Sequence, residues 1–100
     1  MKASPSSTHG DVDRRLLRLV EACVERIEAD PTLLDKARVQ ASRYSNAGLR
    51  TEWKDLLDLP WASLRSTLLD ESAQGDRIRQ SVPFGGFLED EQRLELLKTP

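Results

Sequence analysis

The side chains best suited to contact another molecule lie in one short stretch near the C-terminus. Arg77, Arg79 and Gln80 supply two guanidinium groups and an amide, and a turn over residues 82–87 follows them directly. Arginine and aromatic side chains are the usual anchors of protein interfaces. This stretch is therefore a candidate partner-binding surface. Its residues are Arg77, Arg79, Gln80, Pro83, Phe84, Gly86 and Phe87.

The two phenylalanines of this turn have a second, purely structural interpretation. Burying a phenylalanine side chain is worth ~1.5–3 kcal/mol, so Phe84 and Phe87 must contact either the helices of this chain or a partner. In the structural interpretation both rings close one end of the fold, and Arg79 pairs with a carboxylate on a neighbouring helix. One ring can also face inward and the other outward. The sequence leaves these arrangements open.

The residues needed for catalysis or metal binding do not occur in suitable groups. His9 lies in a polar N-terminal stretch and Cys23 lies on an apolar helical stripe, so there is no nucleophile–base pair. Zinc sites need clusters of cysteine and histidine, and calcium loops need alternating acids. Gly85-Gly86 lacks both the preceding strand and the following Lys-Ser/Thr of a phosphate loop. We therefore expect no enzymatic activity, no metal site and no cofactor.

The single cysteine also carries information about the environment of the protein. One thiol cannot form an intramolecular disulfide, and an unpaired cysteine in a helix favours a reducing compartment, here the cytoplasm. The apolar neighbours of Cys23 predict a raised pKa and an unreactive thiol. The first ten residues contain no apolar run, which argues against a signal peptide, and no apolar window approaches the length of a membrane span.

Three arginines form a second candidate surface. Arg38 and Arg43 lie on the predicted outer face of the second helix, and Arg50 follows shortly after it. Two helices joined by a tight turn, with basic residues on the second, favour a helix-turn-helix that binds DNA. However, the turn begins at Pro31, and no Asn/Gln/Arg cluster stands in the first turn of the second helix to contact bases. The formal net charge of −2 also argues against a protein that coats nucleic acid.

The elements that must position these side chains are helices. Residues 1–10 are predicted to be a disordered tail, and residues 11–100 a single all-α domain, a bundle of about five helices with a Gly/Pro/Phe turn before the last. A stripe of Leu16, Val20, Cys23 and Ile27 runs along the first helix. The fourth predicted helix is interrupted by polar residues and continues beyond them as a short helical segment. The predicted helices are Val12–Ala29, Pro31–Asn46, Thr51–Asp58, Pro60–Leu69 with its short continuation through Arg77–Gln80, and a last helix from Glu89 to Lys98.

Local signals fix several of these boundaries and the centre of the core. Gly48 predicts a left-handed stop for the second helix, and Thr51 predicts an N-cap for the third. Tryptophan is mostly buried and dominates packing where it occurs. We therefore expect Trp53 and Trp61 to lie at the centre of the core.

The C-terminal half resembles a group of small bacterial proteins regarded as antitoxins or associated regulators, often encoded beside a toxin-like partner. The resemblance spans Trp53 to Arg93 and rests on W-x-x-L-L followed by I-R-Q-x-x-P-F-x-G-x-L. This chain has Ile78 where leucine is expected, Gly85 where alanine is usual and Phe87 where a branched aliphatic residue is typical. The resemblance implies a helical protein that binds and neutralises a neighbouring toxin.

Residues and resemblance together predict a non-catalytic protein-binding module, an antitoxin or immunity-like protein that covers the active site of a protein partner. The expected contact surface is a helical face together with the segment Arg77–Phe87. One alternative is a DNA-binding operon regulator that uses Arg38, Arg43 and Arg50. Another is a structural module that forms a homodimer through the stripe Leu16–Ile27. No membrane association is expected.

Overall fold

The computed structural model describes the backbone of residues 4–98 and the side chains of residues 13–96. Within this range the chain forms six α-helices and no strand. The predicted all-α bundle, with a Gly/Pro/Phe turn before its last helix, is confirmed. The helices are α1 (Ser4–Ala29), α2 (Leu33–Ser42), α3 (Ala47–Leu57), α4 (Trp61–Leu68), α5 (Ala73–Arg79) and α6 (Asp90–Lys98).

The N-terminal boundary differs from the expected one. Helix α1 begins at Ser4 rather than Val12 and ends at the predicted Ala29. Residues 1–3 and the side chains of residues 4–12, including His9, lie outside the described part of the chain. The predicted disordered tail over residues 1–10, and the division into tail and domain, therefore stay predictions.

The junction between α2 and α3 corrects two predicted signals. Asn46 has extended backbone angles, and its side chain accepts a hydrogen bond from the Leu49 backbone N–H at 3.0 Å, so Asn46 is the N-cap of α3. Asparagine is among the strongest N-cap residues. Because α3 starts here, Gly48 lies inside its first turn instead of ending α2, and Thr51 is an internal helical residue. Helix α2 consequently ends at Ser42, four residues before the predicted Asn46.

Trp53 is the central core side chain and is fully buried. Trp61 is only partly buried, and its indole N–H donates to Glu28 at 3.2 Å, which attaches α4 to α1. The apolar stripe of α1 faces the other helices of the same chain. Three of its four residues, Val20, Cys23 and Ile27, are buried, and Leu16 is partly buried. This burial leaves little apolar face for a homodimer through the stripe, and the self-associating module stays a prediction.

Candidate functional site

The aromatic residues of the predicted binding surface are core residues. Phe84 and Phe87 are only 6% and 5% exposed. Their rings stack with centroids 5.0 Å apart, and Phe84 meets Trp53 edge-on at 6.3 Å. Pro83 beside them is buried as well. The expectation that this turn presents aromatic anchors to a partner is therefore corrected: the rings close the bundle, as the structural interpretation predicts.

Arg79 is also internal, with 1% of its side chain exposed. Its Nη1 donates to the carbonyl oxygens of Leu68 and Asp70 at 2.9 and 2.6 Å, and its Nη2 donates to the Asp76 carboxylate at 2.6 Å. The carboxylate belongs to the same helix as Arg79, not to a neighbouring helix as the sequence suggests. A buried charge is tolerated only when it is paired and hydrogen-bonded. Arg79 therefore acts as an internal clamp between the end of α4 and helix α5.

Side chains from α2 and α3 hold the turn in place. The Gln40 amide donates to the Gly85 carbonyl at 2.8 Å and accepts from the Gly85 N–H at 2.9 Å. Ser81 accepts from both Tyr44 and the Trp53 indole. A methyl group at position 85 would lie 3.2 Å from the Gln40 Oε1 atom, which explains why glycine fits there. These contacts fix the backbone of residues 81–85 against α2, α3 and the connection between them.

Three of the seven predicted contact residues do reach solvent: Arg77, Gln80 and Gly86. Arg77 forms a bidentate ion pair with Glu52, the shorter contact being 2.7 Å. The hydrogen bond from Arg77 lowers the pKa of Glu52, and the same hydrogen bond raises the pKa of Arg77. Gly86 has a φ of +82°, a left-handed conformation that glycine adopts without strain. Arg77 and Gln80 are exposed, whereas Gly86 lines a hollow of about 320 Å³ together with Phe87 and residues of α1.

A groove between α2 and α3 is the better candidate site. It has a volume of about 280 Å³. Its floor contains Ala41 and Leu57, and its rim carries Arg38, Arg50 and Lys54. The remaining lining residue is Ser42.

The structure thus brings together two of the three arginines of the DNA-binding alternative. Arg38 and Arg50 line the groove, whereas the exposed Arg43 is outside its lining. The sequence interpretation missed Lys54. The signal that could have found it is its spacing of four residues from Arg50 on one helix, which places both cations on the same face.

The charge at the rim of the groove is only partly neutralised. Arg38 pairs with Asp58 at 2.7 Å and also donates to the Leu57 carbonyl. Arg50 donates to the carbonyl oxygens of Tyr44 and Ser45, which do not cancel its charge. Among the described residues, Lys54 forms no hydrogen bond or ion pair. The rim therefore presents at least two uncompensated positive charges above an apolar floor.

Two of these cations lie at a mutually unfavourable spacing. Arg50 and Lys54 are separated by four residues on α3, where like charges destabilise a helix by ~0.2–0.5 kcal/mol. Arg50 also lies in the first turn of the helix, where the macrodipole disfavours positive charge. The fold keeps this arrangement without an internal partner for Lys54. Local costs of this kind are expected at functional sites.

Comparison of the chain with protein-family models, with curated sequences and with solved structures finds no match. Among the described helices, none is both long enough and apolar enough to cross a membrane. Within residues 13–96, no three His, Cys, Asp or Glu side chains come together in a way that could hold a metal ion.

Cys23 should be unreactive in the folded protein. Burial raises the pKa of its thiol from 9.0 to about 11, an effect that nearby Arg26 only partly offsets. Below pH 9 this shift lowers the thiolate fraction about a hundredfold relative to the unfolded chain. We expect iodoacetamide to label Cys23 slowly in buffer and rapidly in denaturant, as measured by mass spectrometry. Equal labelling rates in the two conditions would contradict the buried position of the thiol.

Proposed function

We propose that this chain is a non-catalytic protein-binding module that neutralises a protein partner, in the manner of a bacterial antitoxin or immunity-like protein. The single observation that carries the proposal is the α2–α3 groove, with its apolar floor and positively charged rim. Protein interfaces combine a desolvated apolar centre with a polar rim, and arginine is enriched in them. The resemblance of residues 53–93 to antitoxin-like proteins supports the same function.

The proposed mechanism is occlusion of the partner by a preformed helical surface. Gln40 of α2, Tyr44 of the connection and Trp53 of α3 all bond to residues 81–85, so the walls of the groove are held before any partner arrives. Preorganised surfaces lose less conformational entropy on binding. In this proposal the partner binds in the groove. The segment of residues 76–88, here called the corner, does not contact the partner but holds α2 and α3 in position.

Co-expression with the product of the neighbouring gene tests this function. If that product inhibits growth, we expect the chain to restore growth and to co-purify with it. A chain carrying Lys54→Glu should restore growth less well, because the substitution reverses the charge at the rim. Lys36→Glu is the matched control, since it makes the same charge change at an exposed position of α2 outside the groove. Growth inhibition that persists with the unmodified chain would count against the proposal.

A second candidate function, DNA binding by an operon regulator, is favoured by one specific observation. Residues 43–46 form a four-residue connection between α2 and α3, a length found in helix-turn-helix motifs, and Arg50 and Lys54 lie on the second of these helices. Against it, Asp58 places a negative charge at the rim, where it pairs with Arg38. Duplex binding that weakens steeply with salt would support this candidate.

A further inference from the structure

We infer that the occupant of the α2–α3 groove is an acidic amphipathic segment of the partner, which inserts an apolar side chain between the helices and directs carboxylates to Arg50 and Lys54. This inference rests on the proposed protein-binding function and adds the chemistry of the partner. It assigns a separate role to each part of the groove. The floor supplies the apolar contact, and the rim supplies charge recognition.

The charges of the groove select a negatively charged segment. Lys54 has three ammonium donors and no partner among the described residues. The hydrogen bonds of Arg50 go to carbonyl oxygens, which carry no formal charge to offset its own. A carboxylate that approaches this pair gains two attractive contacts and relieves the repulsion between the two cations. A neutral or basic segment would leave that repulsion in place.

The size of the groove suits the side chains of a partner segment. Its volume of about 280 Å³ is slightly below the ~300–1,000 Å³ typical of small-molecule sites. Ala41 and Leu57 are each 3% exposed, so the floor is formed by only a few apolar atoms between the two helices. Space of this size accepts one or two aliphatic side chains. Anchor residues of an amphipathic helix enter grooves in this way.

The same features disfavour a nucleic acid as the occupant. Binding to a duplex needs a track of cations along the phosphate backbone, whereas this rim is short and contains Asp58, which pairs with Arg38. Stacking platforms for single strands need exposed aromatic rings. Phe84 and Phe87 are buried, Trp53 is fully enclosed, and the partly buried Tyr44 and Trp61 are not among the lining residues of the groove. An acidic peptide fits both the charge and the floor.

Fluorescence anisotropy with the full chain tests the inference. The probes are a labelled helical peptide with leucines at helical spacing flanked by glutamates, the same peptide with every glutamate changed to glutamine, and a short labelled DNA duplex. We expect the acidic peptide to bind about tenfold more tightly than the glutamine peptide. Lys54→Glu should remove most of this preference, whereas Lys36→Glu should change the affinity by less than about twofold, because its site is outside the groove.

A second variant tests the apolar floor independently of charge. Ser42→Phe places a ring at the mouth of the groove from an exposed position, so it should block the acidic peptide while leaving the melting temperature close to that of the unmodified chain. Equal affinity for the two peptides, tighter binding of the duplex, or no effect of Ser42→Phe would overturn the inference. Growth rescue that is intact with Lys54→Glu would also overturn it, yet leave the proposed protein-binding function standing. Failure of the unmodified chain to rescue would instead remove the proposed function.

Discussion

Replacing Arg79 with methionine is expected to lower the free energy of unfolding by ~3–5 kcal/mol. Methionine fills a similar space but cannot donate to the Leu68 and Asp70 carbonyl oxygens, so these groups lose the hydrogen bonds from Arg79. The Asp76 carboxylate also loses its ion-pair partner. Urea unfolding followed by circular dichroism would measure the effect.

Arg77→Met is the matched control for this prediction. Arg77 lies two residues away and also forms an ion pair, but its side chain is exposed. Exposed ion pairs contribute little to stability, because solvent screens them. We therefore expect the unfolding midpoint to change little. Similar losses in the two variants would mean that Arg79 is not the internal clamp described above.

The second large effect is expected at Phe84. Phe84→Ala should lower the free energy of unfolding by ~3–5 kcal/mol, because it removes a buried ring and leaves a cavity beside Trp53 and Phe87. Tryptophan fluorescence during denaturant unfolding would measure the loss. The substitution thus tests whether the corner is core or interface.

Leu94→Ala serves as the control, since Leu94 is an apolar side chain that is 54% exposed. Substitutions at exposed positions usually change stability by less than about 0.5 kcal/mol. If Phe84 were an anchor for a partner, Phe84→Ala would resemble this control in stability and would differ only in binding. That result would restore the aromatic turn as the contact surface.

Helical periodicity predicted the parts of the fold that depend on apolar spacing. The stripe of α1 followed directly from the sequence, because a helix with one apolar face must cover that face. The burial of Trp53 followed from the size of tryptophan, but the same reasoning also placed Trp61 at the centre of the core, and Trp61 is only partly buried. The Gly/Pro/Phe turn before the last helix was also predictable, since proline and glycine interrupt helices locally. These features depend on residues close together in the chain.

Features that depend on distant residues were not predictable in this way. An arginine in a sequence gives no sign that it will be buried, and Arg79 is internal only because the end of α4 brings two free carbonyl oxygens to it. The Gln40 contact with Gly85 likewise joins residues far apart in the chain. At the α2–α3 junction the sequence contains two local signals, a possible helix stop at Gly48 and a possible N-cap at Asn46. In the structure Asn46 caps α3, and Gly48 does not end α2.

The candidate site shows the same limit. Arg38 and Arg50 were recognised as basic residues, but the sequence did not reveal that they share a groove, because this depends on how α2 packs against α3. Lys54 was overlooked, since a lone lysine on a helix is usually a solvated side chain. The aromatic turn over residues 82–87 was the first candidate, because its residue types suit an interface and a core equally well. Only packing distinguishes these two roles.

Two-dimensional amide NMR of the isotope-labelled chain, titrated with the acidic leucine–glutamate peptide, tests the central claim most directly. We predict that the perturbed resonances cluster along residues 38–57, around the α2–α3 groove, while those of residues 82–88 stay nearly unchanged. Perturbations centred on residues 77–87, with the groove unaffected, would contradict the assignment of binding to α2 and α3 and of the corner to the core.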